Sequence, residues 1–136
     1  MTHRFTCRIY FEDTDLAGIV YYANYLKFIE RARSEYVREL GLDQTATKRD
    51  TGVVFAVRRV EADYLSPARF DDVIEVRTAP IKASAAQIVL DQSIWLDDRA
   101  LFQSQVTLVA LKPNGRPTRL PKVLVDAAGR TAPSDP

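Results

Sequence analysis

The chain has 136 residues, enough for one domain with a real core and too few for two. Hydrophobic residues make up 46% and charged residues 27%, an ordinary globular balance, and a net charge of +1 gives no global reason to expect a nucleic-acid partner. The single cysteine, Cys7, excludes an internal disulfide and thiolate metal clusters, and the single histidine, His3, leaves the usual zinc sites and histidine-based triads without their residues.

Residues 4–11, RFTCRIYF, are rich in β-formers and predict a first strand. They run into an acidic stretch, Glu12, Asp13 and Asp15, then a glycine turn at Gly18 and the apolar-aromatic segment Ile19 to Tyr22. From Asn24 to Leu40, apolar residues recur at Tyr25, Phe28, Ile29, Ala32, Tyr36, Val37 and Leu40, the spacing of a helix with one buried stripe. Lys27, Glu30, Arg31, Arg33, Glu35, Arg38 and Glu39 read as its solvated face, and Gly41 as its C-cap. Residues 42–52 read as a polar loop with room for a short helical turn.

Four strands follow. In VVFAVRRVEADYL, Val54, Ala56, Val60, Ala62 and Tyr64 fall on one face and Phe55, Val57, Arg59, Glu61 and Asp63 on the other, with Arg58 breaking the series. Ser66-Pro67-Ala68 is a turn, DVIEVRTAPI a strand, residues 82–86 a connection and QIVLDQSIWL a strand. After a tight turn at Asp97-Asp98, the last long strand sets Phe102, Ser104, Val106, Leu108 and Ala110 against Leu101, Gln103, Gln105, Thr107 and Val109. Pro113-Asn114-Gly115 turns the chain, residues 116–124 run along the surface, and residues 126–136 read as a disordered tail after a single domain over 1–125. Short connections between consecutive strands make the sheet antiparallel, and one long helix across it gives the α+β class. The uncovered sheet face is a natural place for a second copy.

The acidic run has three readings. It is a solvated turn, or the start of a calcium loop, or part of a catalytic site. The calcium reading fails at Ala17, where a ligand belongs, and at Asn24, where the bidentate glutamate should stand. In the catalytic reading Asp15 attacks an acyl carbon or activates water, Gly18 lets backbone approach a ligand, and N–H groups near Tyr22 hold the carbonyl oxygen.

The segment YFEDTDLAGIVYYANYLKFIERARSEYVREL resembles the signature of the 4-hydroxybenzoyl-CoA thioesterase family of hotdog-fold enzymes, most closely the branch of bacterial acyl-CoA thioesterases associated with the Tol-Pal system. The similarity continues through FAVRRVEADYLSPARFDDVIEV to RPTRLPKVLV, about residues 5 to 125. It implies a five-stranded antiparallel sheet wrapped around a long helix, and dimers that bind an acyl-CoA thioester at the subunit interface and often pair into tetramers. By position, Asp15 matches the family's catalytic aspartate, Tyr22 the residue whose backbone N–H binds the thioester carbonyl, and Gly18 the glycine between them. The Tol-Pal branch often carries histidine where this chain has Tyr22, so assistance from an imidazole is absent here.

Asp15 and Tyr22 are therefore the expected catalytic residues, with Gly18, Ile19, Val20, Tyr21, Glu30, Arg59 and Lys82 expected at the substrate. No metal or other cofactor is expected. Neither a signal peptide nor an apolar run of membrane-spanning length is visible, so a cytoplasmic homo-oligomer is expected. The rivals are a hotdog hydratase, which usually adds a histidine to the carboxylate, and a non-catalytic acyl-CoA-binding or scaffold protein.

Overall fold

The apolar stripe forms helix α1, Asn24–Glu39, within a computed structural model that describes residues 2–131. Tyr25, Phe28, Ile29, Ala32, Tyr36 and Val37 are all buried, and each large side chain so placed contributes about 1.5–3 kcal/mol. The helix closes in a Schellman motif: the Gly41 N–H donates to the Arg38 carbonyl at 3.0 Å and the Leu42 N–H to the Val37 carbonyl at 3.3 Å.

The helix lies against one antiparallel sheet. Its strands are β1 (His3–Arg8), β2 (Val54–Tyr64), β3 (Val73–Ala83), β4 (Ile88–Leu96) and β5 (Arg99–Leu111), in the order β1-β3-β4-β5-β2. A two-residue β6, Pro117–Thr118, pairs with β5 at Ala110 and Leu111, beyond the point where the β4 ladder ends. Ile74 and Val76 of β3, Ile88, Leu90 and Ile94 of β4, and Phe102, Val106 and Leu108 of β5 meet the helix in one core. The expected α+β class is as found, and the five expected antiparallel strands are joined by a sixth, the short β6.

Two further helices depart from the expected single one. Residues 44–51 form α2, Gln44–Thr51, capped by the Asp43 carboxylate accepting from the Ala46 N–H at 3.0 Å. It buries nothing, so no apolar stripe announced it. The second, α3, Lys122–Thr131, occupies six residues of the expected tail, and residues 132–136 lie outside those described. Leu120, Leu124, Ala127 and Ala128 are buried, so this end of the chain adds to the helical layer instead of running over the surface.

In β2 the alternation flips. The ladder to β5 shifts between Val57 and Arg59, so Arg58 is the extra residue of a bulge. Phe55, Val57, Val60, Ala62 and Tyr64 therefore share the helix side, opposite Ala110, Leu108, Val106, Ser104 and Phe102, while Val54, Ala56, Arg59, Glu61 and Asp63 face out. The expected grouping holds after Arg58 and is reversed before it. As the sheet's edge, β2 is exposed from Val57 to Tyr64 on both faces, and its outer edge has no strand among the described residues. Arg59 pairs with Glu61, two residues on and on the same face.

A buried polar cluster pins the middle of α1 to the sheet. Gln92, fully buried, donates from Nε2 to the Ile29 carbonyl at 2.9 Å and to Thr78 Oγ1 at 3.0 Å. Its Oε1 accepts from Arg33 Nη1 at 3.0 Å, and its backbone carbonyl accepts from Ser104 Oγ at 2.7 Å. Arg33 thus turns inward from the face assigned to solvent, and burial holds its pKa below the ordinary guanidinium value.

Gly52 ends α2 at a φ of +74°, and a Cβ there would meet Pro113 Cγ at 2.5 Å. Gly52→Ala should therefore cost more than about 1 kcal/mol, read as a lower urea midpoint, with thermal melting as a second probe.

Candidate active site

The acidic run is sorted into separate jobs by its backbone. Residues Phe11–Asp13 form a 3-10 turn in which the Asp13 carboxylate accepts the Tyr10 N–H at 2.8 Å. The Asp13 carbonyl then accepts both the Tyr21 N–H and Asn24 Nδ2, each at 2.9 Å, which ties the loop to the start of α1. Glu12 stays exposed. Asp15 opens a tight hairpin: its N–H donates to the Ile19 carbonyl at 2.9 Å, and its own carbonyl accepts the Gly18 N–H at 3.0 Å. Gly18 sits at φ +79°, the left-handed residue that lets such a loop return to its strand. Asp15 Oδ1 accepts the Ala17 N–H at 2.9 Å, and Oδ2 has no donor among the described residues.

The returning arm is held from below. The Val20 N–H donates to the Ala68 carbonyl at 2.9 Å, and the Ala68 N–H donates to Tyr25 Oη at 3.0 Å. Between this arm, the helix start and the end of β2 lies a cleft of about 300 Å³, lined by Ile19, Val20, Tyr22, Tyr25, Tyr64, Leu65, Ser66 and Pro67. Its floor is aromatic: Tyr25 stacks on Phe102 with centroids 5.4 Å apart at 7°, and Tyr64 sets its ring edge-on to both. Tyr21 is held above its ordinary pKa by hydrogen bonding with Tyr22, with the nearby Asp15 charge adding to the shift. Burial raises Tyr25 and Tyr64.

At the helix start, the N–H groups of Tyr22 and Ala23 have no acceptor among the described residues. They stand at the positive end of the α1 dipole, one hairpin arm away from Asp15. Tyr22 lines the cleft and Asp15 opens the hairpin that leads to it; a free carboxylate oxygen and uncommitted N–H donors brought to one acyl group can together hold and attack its carbonyl. Among the described residues no three His, Cys, Asp or Glu side chains gather as metal ligands would.

Of the residues expected from the sequence, the structure brings together Asp15, Gly18, Ile19, Val20, Tyr21 and Tyr22. Glu30 lies about 12 Å further along α1. It accepts from Ser34 Oγ at 2.9 Å and borders a separate pocket of about 170 Å³ with Arg33, Val37, Phe55 and Leu108. Arg59 is on the outward face of β2. Lys82, expected in a turn, is in β3 just past a bulge at Ile81, about 30 Å along the strand from its start near the hairpin. Missed altogether were Tyr25 as part of the cleft, and Tyr64 to Pro67.

The family model of the thioesterase superfamily matches residues 17–103. The chain belongs to that superfamily. This thioesterase is 36% identical over 124 residues to the acyl-CoA thioester hydrolase YbgC of Escherichia coli, an alignment covering 90% of this chain and 92% of that protein. It is 42% identical over 97 residues to the acyl-CoA thioesterase YbgC of Helicobacter pylori, covering 71% and 70%. Among solved structures it superposes on a probable thioesterase from Bartonella henselae with a TM-score of 0.85 at 32% identity, covering 89% of this chain and all of that one. A 4-hydroxybenzoyl-CoA thioesterase complexed with 4-hydroxybenzoyl-CoA matches with a TM-score of 0.86 at 22% identity, covering 93% and 98%. That likeness carries the fold alone, and the fold is the expected hotdog: a long helix in the grip of an antiparallel sheet. No helix among the described residues of this thioesterase is long and apolar enough to cross a membrane.

Proposed function

We propose that this thioesterase hydrolyses acyl-CoA thioesters to a free acid and coenzyme A. The observation that carries the reading is a tethered carboxylate, Asp15, on the hairpin whose returning arm leads to the uncommitted N–H groups of Tyr22 and Ala23, with Tyr22 lining the cleft. The names of the E. coli and H. pylori relatives support coenzyme A as the thiol half.

The thioester carbonyl lies with its oxygen against the helix start, where partial positive charge stabilises the oxyanion as it forms. The acyl group occupies the apolar cleft. Asp15 Oδ2 then either attacks the carbonyl carbon, expelling coenzyme A thiolate and leaving an acyl-aspartyl anhydride for water to open, or takes a proton from a water that attacks in its place. The Oδ1 bond to the Ala17 N–H fixes the carboxylate in either case.

The unpaired edge of β2 and its exposed Val57 and Val60 support a dimer built on that edge, and dimers could pair again into tetramers. In a dimer, Glu30, Arg59 and Lys82, remote from Asp15 in one chain, would serve a neighbouring subunit's substrate. The test is thiol release from acetyl-, butyryl-, octanoyl- and benzoyl-CoA. Turnover on at least one is expected. Binding without thiol release from any of them would instead favour a non-catalytic acyl-CoA-binding protein.

A further inference from the structure

We propose that Tyr64 is a positioning residue of the reaction: its phenol holds the Tyr22–Ala23 peptide so that the Ala23 N–H at the start of α1 stays aimed at the thioester oxygen. This role rests on the acyl-transfer reading above.

Two peptide groups meet at Tyr22, and each has its carbonyl held differently. The Tyr21 carbonyl accepts the Asn24 N–H at 2.8 Å, a bond made within the turn itself. The Tyr22 carbonyl receives no such backbone donor. Among the described residues its one donor is Tyr64 Oη, at 3.0 Å, from a residue 42 positions further along the chain. Because the peptide is planar and trans, its C=O and N–H point in opposite directions, so the phenol that fixes the Tyr22 carbonyl also fixes the direction of the Ala23 N–H. Donation to the carbonyl polarises the same amide and strengthens its N–H as a donor. Without this bond the peptide is an exposed pre-helical turn, free to rotate and to spend its N–H on water.

The hydroxyl itself is aimed by packing. The Tyr64 ring stands edge-on to Tyr22, Tyr25 and Phe102, with centroids 6.2, 5.4 and 5.2 Å away. Tyr25 is in turn fixed by its stack on Phe102 and by the Ala68 N–H. Burial, with Tyr22 adding to it, raises the Tyr64 phenol above its ordinary pKa. Tyr64 is also the last residue of β2, so the bond links the open edge strand to the oxyanion site.

Tyr64 also lines the cleft, and the two roles separate cleanly. Tyr64→Phe keeps the ring and removes only the hydroxyl. It is expected to lower kcat about 10- to 100-fold, less than removal of a direct oxyanion donor, with KM changed less than about twofold. The independent readout is the infrared band of the carbon-13-labelled carbonyl, using the best substrate among acetyl-, butyryl-, octanoyl- and benzoyl-CoA bound to protein carrying Asp15→Asn. The bound band should lie below that of the free thioester, and adding Tyr64→Phe should move it back toward the free position. Tyr64→Leu, which removes ring and hydroxyl, should show the same kcat loss plus a raised KM. If Tyr64→Phe matches the wild type in kcat, or leaves the carbonyl band in place, the role is overturned and Tyr64 is a wall residue. A wild type inert toward all four thioesters overturns the acyl-transfer reading and this role with it. An active wild type with an unimpaired Tyr64→Phe overturns this role alone.

Discussion

Asp15→Asn should reduce thiol release by about a thousandfold or more while leaving the protein folded. The amide is nearly isosteric and its Oδ1 can still accept the Ala17 N–H, so the hairpin keeps its side-chain tether and stability should change by no more than about 0.5 kcal/mol. What is lost is the negative charge and the basic or nucleophilic Oδ2. Circular dichroism and urea midpoints matching the wild type, beside collapsed turnover, would place the loss in the chemistry. Residual activity within tenfold of wild type would sink Asp15 as the reacting carboxylate. The same assay distinguishes the two routes open to it. Oxygen-18 from water entering Asp15 after a single turnover marks direct attack, and its absence with no trapped acyl-aspartate marks water activation.

Gln92→Leu should produce the largest loss of stability among the substitutions considered, about 2–4 kcal/mol. The side chain is fully buried, and removing its amide strands a partly buried guanidinium, the Thr78 hydroxyl and a contact to the Ile29 carbonyl. The cost comes mainly from Arg33, a charge left without its acceptor in poor solvent. Adding Arg33→Met to Gln92→Leu should therefore recover at least about 1 kcal/mol, although each change alone destabilises. Urea denaturation of the four proteins in that cycle measures the coupling. Strictly additive losses would show that Arg33 is not the group the glutamine compensates. Turnover under native conditions should be little affected, because this cluster grips α1 at its middle and the proposed site is at its start.

How much of this was legible in the sequence depended on whether a signal was local and periodic. Helix α1 was readable nearly to the residue, because its stripe repeats at helical spacing and Gly41 closes it. Helix α2 has no buried residue, so its sign was the Asp43 cap alone, which is weaker than a pattern. Helix α3 hid in a segment that looked like a tail, because its buried contacts include the small side chains Ala127 and Ala128. In β2 the alternation was real, but the bulge at Arg58 reversed its first half, and one sequence does not show which residue a ladder skips. The site divides in the same way. Asp15 to Tyr22 form one continuous stretch and were found together. Tyr64 reaches them only through the sheet, so nothing near it in the chain marked its bond to the Tyr22 carbonyl. Arg33 looked like surface because helical spacing gives the direction of a side chain's root and not the reach of a long arginine.

The strand order has a consequence for the order of synthesis. β1 and β2 are made before β3, β4 and β5, yet they lie at opposite edges and do not pair with each other. β1 waits for β3, and β2 waits for β5, whose partners for it span Phe102 to Leu111. Before β3 is made, the residues up to Tyr64 can form helices and the Asp15 hairpin but not the ladders these two strands have in the finished sheet. The β3-β4-β5 meander, joined by short turns, is the first part of the sheet able to close on local contacts. The edge strands β1 and β2 have ladder partners only in β3 and β5, and β2 carries Tyr64. The Asp15 hairpin is thus synthesised before either of the strands that hold the sheet edges in place, and the wall that Tyr64 gives its cleft is anchored only once β5 has been made.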